Sequence, residues 1–578
     1  MLPATTMKYR WSIAPPQPVL AGQLARELRL SPLLAQCLLN RGYSDPFTIS
    51  HFLEPRLKNL ADPFLLPQMD KMVERLFAAR ERSEEVVIFG DYDVDGVTST
   101  ALLMSVLRPL GWKIHYYLPN RLDEGYGLSR DGVENCLAKY PARVLLAVDC
   151  GSTATETICW LKERGVDVLV LDHHQISNPA PEALALVNPQ AAPPGTPSFR
   201  ELCSAGLAFK LAHAILKRGR QTGLPGSQET DLRQQLDLVA LGTIADLVPL
   251  TGENRIFVAT GLPHLERTQR PGLRALKEVA RIESAVGVYE VGFQLAPRLN
   301  AAGRLENAER SLHLLLAQSV AEALPLANEL DTCNRERQEI ERNIAHQVIG
   351  AVRARFDPQT DFVIVEGQLL WHIGVVGIVA SRVLREFYRP TIILGGDTGA
   401  WRGSGRSIDG FDLAAALRGC DDLLLRHGGH AMAAGLSIHP DQLPAFRERL
   451  NRLAQQTLTA EQLQPLLHLD ADVPLDELTI DRLRELERLG PTGQGNRPLQ
   501  LAARGLSLRG QPRRVGKEQQ HAKFTVTDGR TFRDVIWWGA GEKPLPTGAF
   551  DLAIIPELNE YNGSTTVQLR LLDWQPAK

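Results

Sequence analysis

One stretch constrains this chain more than any other: Val86 to Thr100, VVIFGDYDVDGVTST. Val86 to Phe89 is a continuous apolar run, the pattern of a parallel strand covered on both faces, and Gly90 ends it. Asp91, Asp93 and Asp95 then alternate before Gly96, which lets the backbone turn into the helix signalled by Ala101, Leu102, Leu103 and Val106. The acids therefore lie in a strand-to-helix loop, which in an open α/β sheet sits at the carboxyl end of the strands, where ligands bind. Like charges on so short a loop repel one another unless a cation meets them, and a divalent metal does so most compactly. The nearby basic residues Arg75, Arg80 and Arg82 lie upstream on a helix. A solvated acidic loop is the competing reading, and DxDxDG alone leaves both open.

The pattern that follows decides between them. Ile114 to Leu118, Val144 to Val148 and Val166 to Leu171 read as further strands separated by amphipathic helices, which predicts a doubly wound parallel sheet. The third strand runs into Asp149, Cys150 and Gly151, and the fourth into Asp172, His173 and His174, all on one sheet edge. Leu236 to Leu250, LDLVALGTIADLVPL, reads as a buried helix containing Asp237 and Asp246. Buried carboxylates are rare unless paired or ligating; Asp237 suits a surface or capping role and Asp246, near the end set by Pro249, suits a ligand. The candidate ligands are Asp93, Asp95, Asp149, His173 and Asp246, with Asp91 and His174 beside them. Oxygen and imidazole donors without a thiolate suit Mn²⁺ or Mg²⁺ better than zinc. Two ions there, with Asp149 or Asp93 as the bridge, would activate water and steady the leaving oxygen of a phosphoryl transfer.

A chain of 578 residues is too long for one core, which predicts three or four domains. Its formal charge of −3 means that a nucleic-acid partner would need locally gathered cations. Seven scattered cysteines without a CxxC pair read as reduced thiols, and MLPATTMKYRW has no apolar h-region, so a soluble, cytoplasmic protein with no membrane partner is expected. Residues 1–80 look like a helical cap on a catalytic domain spanning 81–310. Residues 311–356 read as connecting helices, with one long helix from Leu326 to Phe356, and 357–460 as a second α/β domain. Residues 461–578 read as linker helices followed by a small barrel of the OB type. In that tail Arg513, Arg514, Lys517 and Lys523 lie near Phe524, Trp537 and Trp538, a combination suited to single strands, although Phe524 and one Trp suit the barrel core equally.

Arg121, Arg298 and Arg304 read as phosphate contacts or as ordinary ion pairs. In WRGSGRS the glycines allow close backbone approach, and Ser404, Arg406 and Ser407 offer donors to an anion; a surface hairpin competes. His430, in GGHAMAAG, sits where a helix with free N–H groups can start.

Together GDYDVDG, PNRLDEGYGLS, AVDCG, LDHH, LGTIADLVPL, PRLNAAGR, SGRS and GGH resemble the DHH phosphoesterases carrying a DHHA1 domain. Within that family the order of motifs and the OB-like tail are similar to RecJ-type exonucleases, over roughly residues 45–578. The resemblance implies metal ligation by Asp93, Asp95, Asp149, His173 and Asp246, with Asp91 in the same motif and His174 beside the scissile phosphate. It implies substrate contacts at Arg121, Arg304, Ser404, Arg406, Ser407 and His430. It further implies two-metal, 5′ to 3′ hydrolysis of single-stranded DNA to 5′-mononucleotides, in recombination and repair. No GxxxxGK[ST] motif occurs, so a separate helicase, and a single-strand-binding protein, are the expected partners. A phosphodiesterase for short oligonucleotides or cyclic dinucleotides, and a non-catalytic replication scaffold, are the alternatives.

Overall fold

The computed structural model describes residues 9–577 apart from 121–122, 126, 194–199, 284, 306, 397–398, 542 and 562. Contacts divide the chain into two compact units. One comprises Phe47–Arg335 with Arg488–Pro498, and the other the chain up to Pro46, Glu336–Glu487 and the chain from Leu499.

In the first unit five parallel strands form a sheet in the order Ile114–Tyr117, Val86–Gly90, Val144–Val148, Asp167–Leu171, Ala185–Val187. Val86–Gly90 and Val144–Val148 are buried throughout. The reason is two-sided cover: Val86 and Ile88 pack with the helices Val94–Leu107 and Ser204–Thr222, while Val87 and Phe89 pack with Arg130–Lys139 and Thr155–Glu163. The chain leaves Val86–Gly90 toward Ile114–Tyr117 on one side and then returns to Val144–Val148 on the other. A topological switch point thus opens a crevice between the loops at Asp91 and Asp149.

In the second unit a five-stranded sheet has the order Arg426–His430, Ala433–Ile438, Trp401–Arg406, Thr391–Gly396, Ile364–Leu369. The C-terminal strands Leu501–Val515, His521–Thr527, Phe532–Trp537, Ser564–Pro576 and Phe550–Tyr561 close back on Leu501–Val515 as an OB-like barrel. The long helix runs Val320–Arg353, starting ahead of Pro325, which sits near enough to its beginning to forfeit one hydrogen bond without ending it. No helix of the described residues is long and apolar enough to cross a membrane.

Two expectations change. Residues 1–80 do not form one cap, because Arg10–Ile13 is a strand paired in parallel with Leu466–Leu469 and Arg41 grips Asp470, so the chain up to Pro46 belongs to the second unit. GGHAMAAG is no helix start: Arg426–His430 and Ala433–Ile438 form an antiparallel hairpin.

Arg255 ties Arg488–Pro498 into the first unit. It is 2% exposed and donates to the carbonyls of Phe52 at 2.7 Å, Arg488 at 3.0 Å, Leu489 at 3.1 Å, Gly490 at 2.6 Å and Pro491 at 3.3 Å. Arg255→Met keeps the apolar stem but leaves buried carbonyls without donors, so it should cost about 3 kcal/mol in urea unfolding and hasten proteolysis within 488–498. An unchanged midpoint would contradict this account.

Candidate metal centre

The acids converge at the crevice. Asp93 caps the helix Val94–Leu107, its Oδ1 accepting from Asp95 N at 2.9 Å and Gly96 N at 3.1 Å. Gly96 is required there, since a Cβ would stand 2.5 Å from Asp91 O. Asp95, 1% exposed, faces the start of Ser204–Thr222 and accepts from Ser204 N at 2.7 Å and Ala205 N at 2.8 Å, where free N–H groups and the helix dipole favour an anion. Asp149 leaves its strand with φ 63°, a left-handed conformation that an aspartate tolerates when the surroundings fix it. Its Oδ1 accepts from Ser204 Oγ at 2.9 Å.

Imidazole and carboxylates meet around His173. Its Nε2 lies 3.4 Å from Asp149 Oδ1, 3.5 Å from Asp246 Oδ2 and 3.9 Å from Asp95 Oδ2. His173 Nε2 and Asp246 Oδ2 are buried with no hydrogen-bond partner among the described residues. Adjacent ligands of an octahedral ion bound at about 2.1 Å stand about 3 Å apart, so this spacing needs only a small contraction to fit a divalent cation. Donor atoms of Asp91, Asp93 and Asp149 also lie within 4.8 Å of one another, as do those of Asp149, His173 and His174. Asp149 is common to both sets.

The charges are unbalanced. Burial, then the charges of Asp95, Asp93, Asp246 and Asp91, push the Asp149 carboxyl well above its ordinary range. Burial and then Asp95 do the same to Asp246, burial raises Asp95, and burial lowers His173. His174 is different: burial opposes its charge, but the hydrogen bond and charge of Asp172 outweigh it and lift the imidazole to about 9.

Asp172 is not among the ligand candidates, although it opens the same DHH motif. Its Oδ1 accepts from His174 Nδ1 at 2.8 Å and from the backbone N–H of His173 at 2.8 Å, and its Oδ2 from Ser152 N at 3.0 Å, so it aims the His174 imidazole and holds the His173 backbone. Ser204 and Asn300 also escape a reading of the sequence; Asn300 Oδ1 accepts from Val94 N at 3.1 Å. No local signal marks either, because their roles arise from helices packed across the fold. Asp237 is buried but spoken for, accepting from Thr268 Oγ1 at 2.7 Å and Leu238 N at 2.7 Å.

Arg121 lies outside the described residues. Arg304 is half-buried on Ala296–Leu305, the helix whose Gly303 abuts Tyr92 O. The remaining candidates belong to the second unit. WRGSGRS is a central strand rather than a surface hairpin, and Arg406, Ala433 and His430 stand in one row across three strands. Ser404, two residues before Arg406, accepts from its Nη1 at 2.9 Å. Gly377, in the first turn of Val376–Phe387, faces both: a Cβ there would be 3.0 Å from Ser404 Oγ and 3.1 Å from Arg406 Nη2. Ser407 points elsewhere, buried, with its hydroxyl donated to Phe411 O at 2.7 Å, so its place is structural. In the barrel Phe524 and Trp537 are core, whereas Trp538, Arg513, Lys517 and Lys523 are exposed.

Comparison with known proteins agrees with this geometry. Residues 85–243 match the DHH family N-terminal domain, 360–456 the DHHA1 domain and 469–573 the RecJ OB domain. The single-stranded-DNA-specific exonuclease RecJ of Dickeya dadantii is 38% identical over 89% of this chain and 92% of its own length. That of Bacillus subtilis is 36% identical over 98% of this chain and 71% of its own length. The chain belongs to the RecJ family. The crystal structure of RecJ in complex with Mn²⁺ from Thermus thermophilus superposes with a TM-score of 0.85 at 30% identity, covering 99% of this chain and 80% of that one. A second RecJ structure from that organism is in complex with Mg²⁺, with a TM-score of 0.79 at 29% identity, covering 98% and 79%.

For this RecJ-family chain, raised carboxyl pKa values mean that the cation-free folded state holds protons the unfolded chain would release. That contribution to stability is present at acid pH and is lost as pH rises through the raised values. In chelator, the unfolding midpoint should therefore fall between about pH 5 and about pH 8, and Mn²⁺ should raise it more at the higher pH, because cation and protons compete for the same oxygens. Equal Mn²⁺ shifts at both pH values would contradict the assignment.

Proposed function

We propose that this chain removes 5′-mononucleotides from the 5′ end of single-stranded DNA, in recombination and repair. The observation that carries the reading is the convergence of Asp93, Asp95, Asp149, His173 and Asp246 on one crevice with ligand atoms left unpartnered. These residues, with Asp91, would hold two Mn²⁺ or Mg²⁺ ions, Asp149 between them. Such ions supply an activated water and positive charge against the phosphoryl oxygens.

The protein does the rest. Asp172 fixes His174 as a protonated donor at neutral pH, aimed to stabilise charge developing on the phosphoryl group. Ser404, Arg406 and His430, with Arg121 and Arg304, bind the 5′ end and adjoining backbone, the guanidinium fork suiting a phosphate. Work divides between catalysis in 81–310, substrate-end binding in 357–460 and grip on the strand in 461–578, where exposed cations beside Trp538 suit a single strand. Without an ATP-binding motif the enzyme depends on a separate helicase, and on a single-strand-binding protein, in the cytoplasm.

The test is degradation of a 5′-phosphorylated, labelled single strand with Mn²⁺, Mg²⁺ or chelator, beside the same strand blocked at its 5′ end and a dinucleotide. Mononucleotides should appear with either metal, chelator and the 5′ block should each stop their release, and the long strand should be preferred. Asp149→Ala should abolish turnover. His174→Ala should lower kcat by about 10²- to 10³-fold, and the wild-type rate should fall on the alkaline side as His174 gives up the proton that Asp172 helps it hold. An Asp149→Ala protein as active as wild type would defeat the proposal.

A further inference from the structure

Tyr289 and Phe293 stand on the surface of the first unit, 61% and 66% exposed, with their rings stacked at 5.0 Å between centroids and 29° between planes. The backbone beneath them is a wide π-turn over Val291–Leu295, in which Ala296 N–H reaches back to Val291 O. Such turns give up regular helical hydrogen bonding and recur at functional sites. This one is seated on the helix that delivers Asp246: a Cβ on Gly292 would lie 4.0 Å from Ile244 Cγ2, two residues before that carboxylate. Leu247, directly after Asp246, is 72% exposed and held at φ 61°, an uncommon conformation for a bulky side chain. The turn then leads into Ala296–Leu305, whose Asn300 bonds the Asp93–Asp95 loop at Val94 N.

We propose that Tyr289 and Phe293 are a stacking platform for unpaired nucleobases of the strand being hydrolysed at the neighbouring carboxylates. The proposal rests on the nuclease reading above and adds the groups that read bases. The chemistry selects the occupant. Both rings are uncharged and offer π-faces, and the nearest cation on the following helix, Arg298, is already held by Asp331 Oδ1 at 2.9 Å and Gln294 O at 2.6 Å, so the patch suits bases and not phosphates. Bases in a duplex have their faces covered, whereas every unpaired base presents one whatever its identity. A platform of this kind favours single strands without favouring a sequence.

The experiment compares steady-state degradation of 5′-phosphorylated oligo(dT) with that of a strand of equal length carrying abasic residues behind its 5′ nucleotide. Wild type, Tyr289→Ala/Phe293→Ala, Tyr289→Trp/Phe293→Trp and Phe47→Ala are assayed; Phe47 is a 71% exposed ring elsewhere in the same unit. The alanine pair should raise KM for oligo(dT) about tenfold, as stacking energies per base imply, with a smaller change in kcat. On the abasic strand wild type should already show the higher KM and the alanine pair should add nothing to it. The tryptophan pair should restore wild-type KM on oligo(dT), and Phe47→Ala should leave it unmoved. An unchanged KM in the alanine pair beside an active wild type, or an equal rise on both strands, overturns the platform alone. Absence of degradation by wild type overturns the nuclease reading and the platform with it.

Discussion

Carboxylates cannot share a buried wall as anions unless something answers their charge. Two unit charges 4 Å apart repel by about 4 kcal/mol at an effective dielectric of about 20, and here Asp95, Asp149 and Asp246 all face His173 Nε2 within 3.9 Å. The sheet makes this repulsion unavoidable, because its switch point places the Asp91 and Asp149 loops side by side. The surroundings then relieve part of it. Asp95 lies against a helix N-terminus and Asp93 caps its own helix, so each carboxylate spends some of its charge on backbone N–H groups. What those bonds leave is answered only by protons or cations, and the raised carboxyl pKa values are the proton side of that balance.

The same bonds that relieve charge also hold geometry. Gly96 lets the Asp91 loop lie against the helix start, Ser204 joins Asp95 to Asp149 through its amide and hydroxyl, and Asp172 orients the His174 imidazole and holds the His173 backbone. A ligand set fixed by partners outside it loses little entropy when the cation arrives. Asp149 at φ 63° belongs to the same scheme: the strained backbone turns its carboxylate toward both donor groups.

How much of this is legible in the sequence follows from how local each cause is. Val86 to Phe89 reads correctly because a strand covered on both faces must be apolar at every position, and the acids of the Asp91 and Asp149 loops are conspicuous because each loop follows such a run. The three-residue strand Ala185–Val187 carries too little pattern to separate from a loop. The strand Arg10–Ile13 exists because of Leu466–Leu469, more than four hundred residues away, and a helical period in the residues that follow disguises it. His430 and Ser407 show the limit of short motifs. Glycine and alanine around His430 permit a helix start and a hairpin alike, and only pairing with Trp401–Arg406 selects the hairpin. Ser407 sits one residue past Arg406, and its hydroxyl meets Phe411 O instead of the face that Arg406 and Ser404 share.

A net charge of −3 hides a division of labour. The carboxylate wall would also repel a polyanionic strand. Exposed cations at Arg513, Lys517 and Lys523 would attract the backbone of such a strand, whereas the proposed platform of Tyr289 and Phe293 is uncharged. Phosphate can therefore approach Asp149 only when the carboxylates are already neutralised, which links substrate affinity to cation occupancy by the same electrostatics that raise the carboxyl pKa values. Beyond the arginines proposed to take the phosphates, a further Lys or Arg in place of these rings would compete with the metal for those carboxylates. Aromatic stacking avoids the competition, since a π-face holds a base without adding a charge to a site whose charge balance is reserved for the ions.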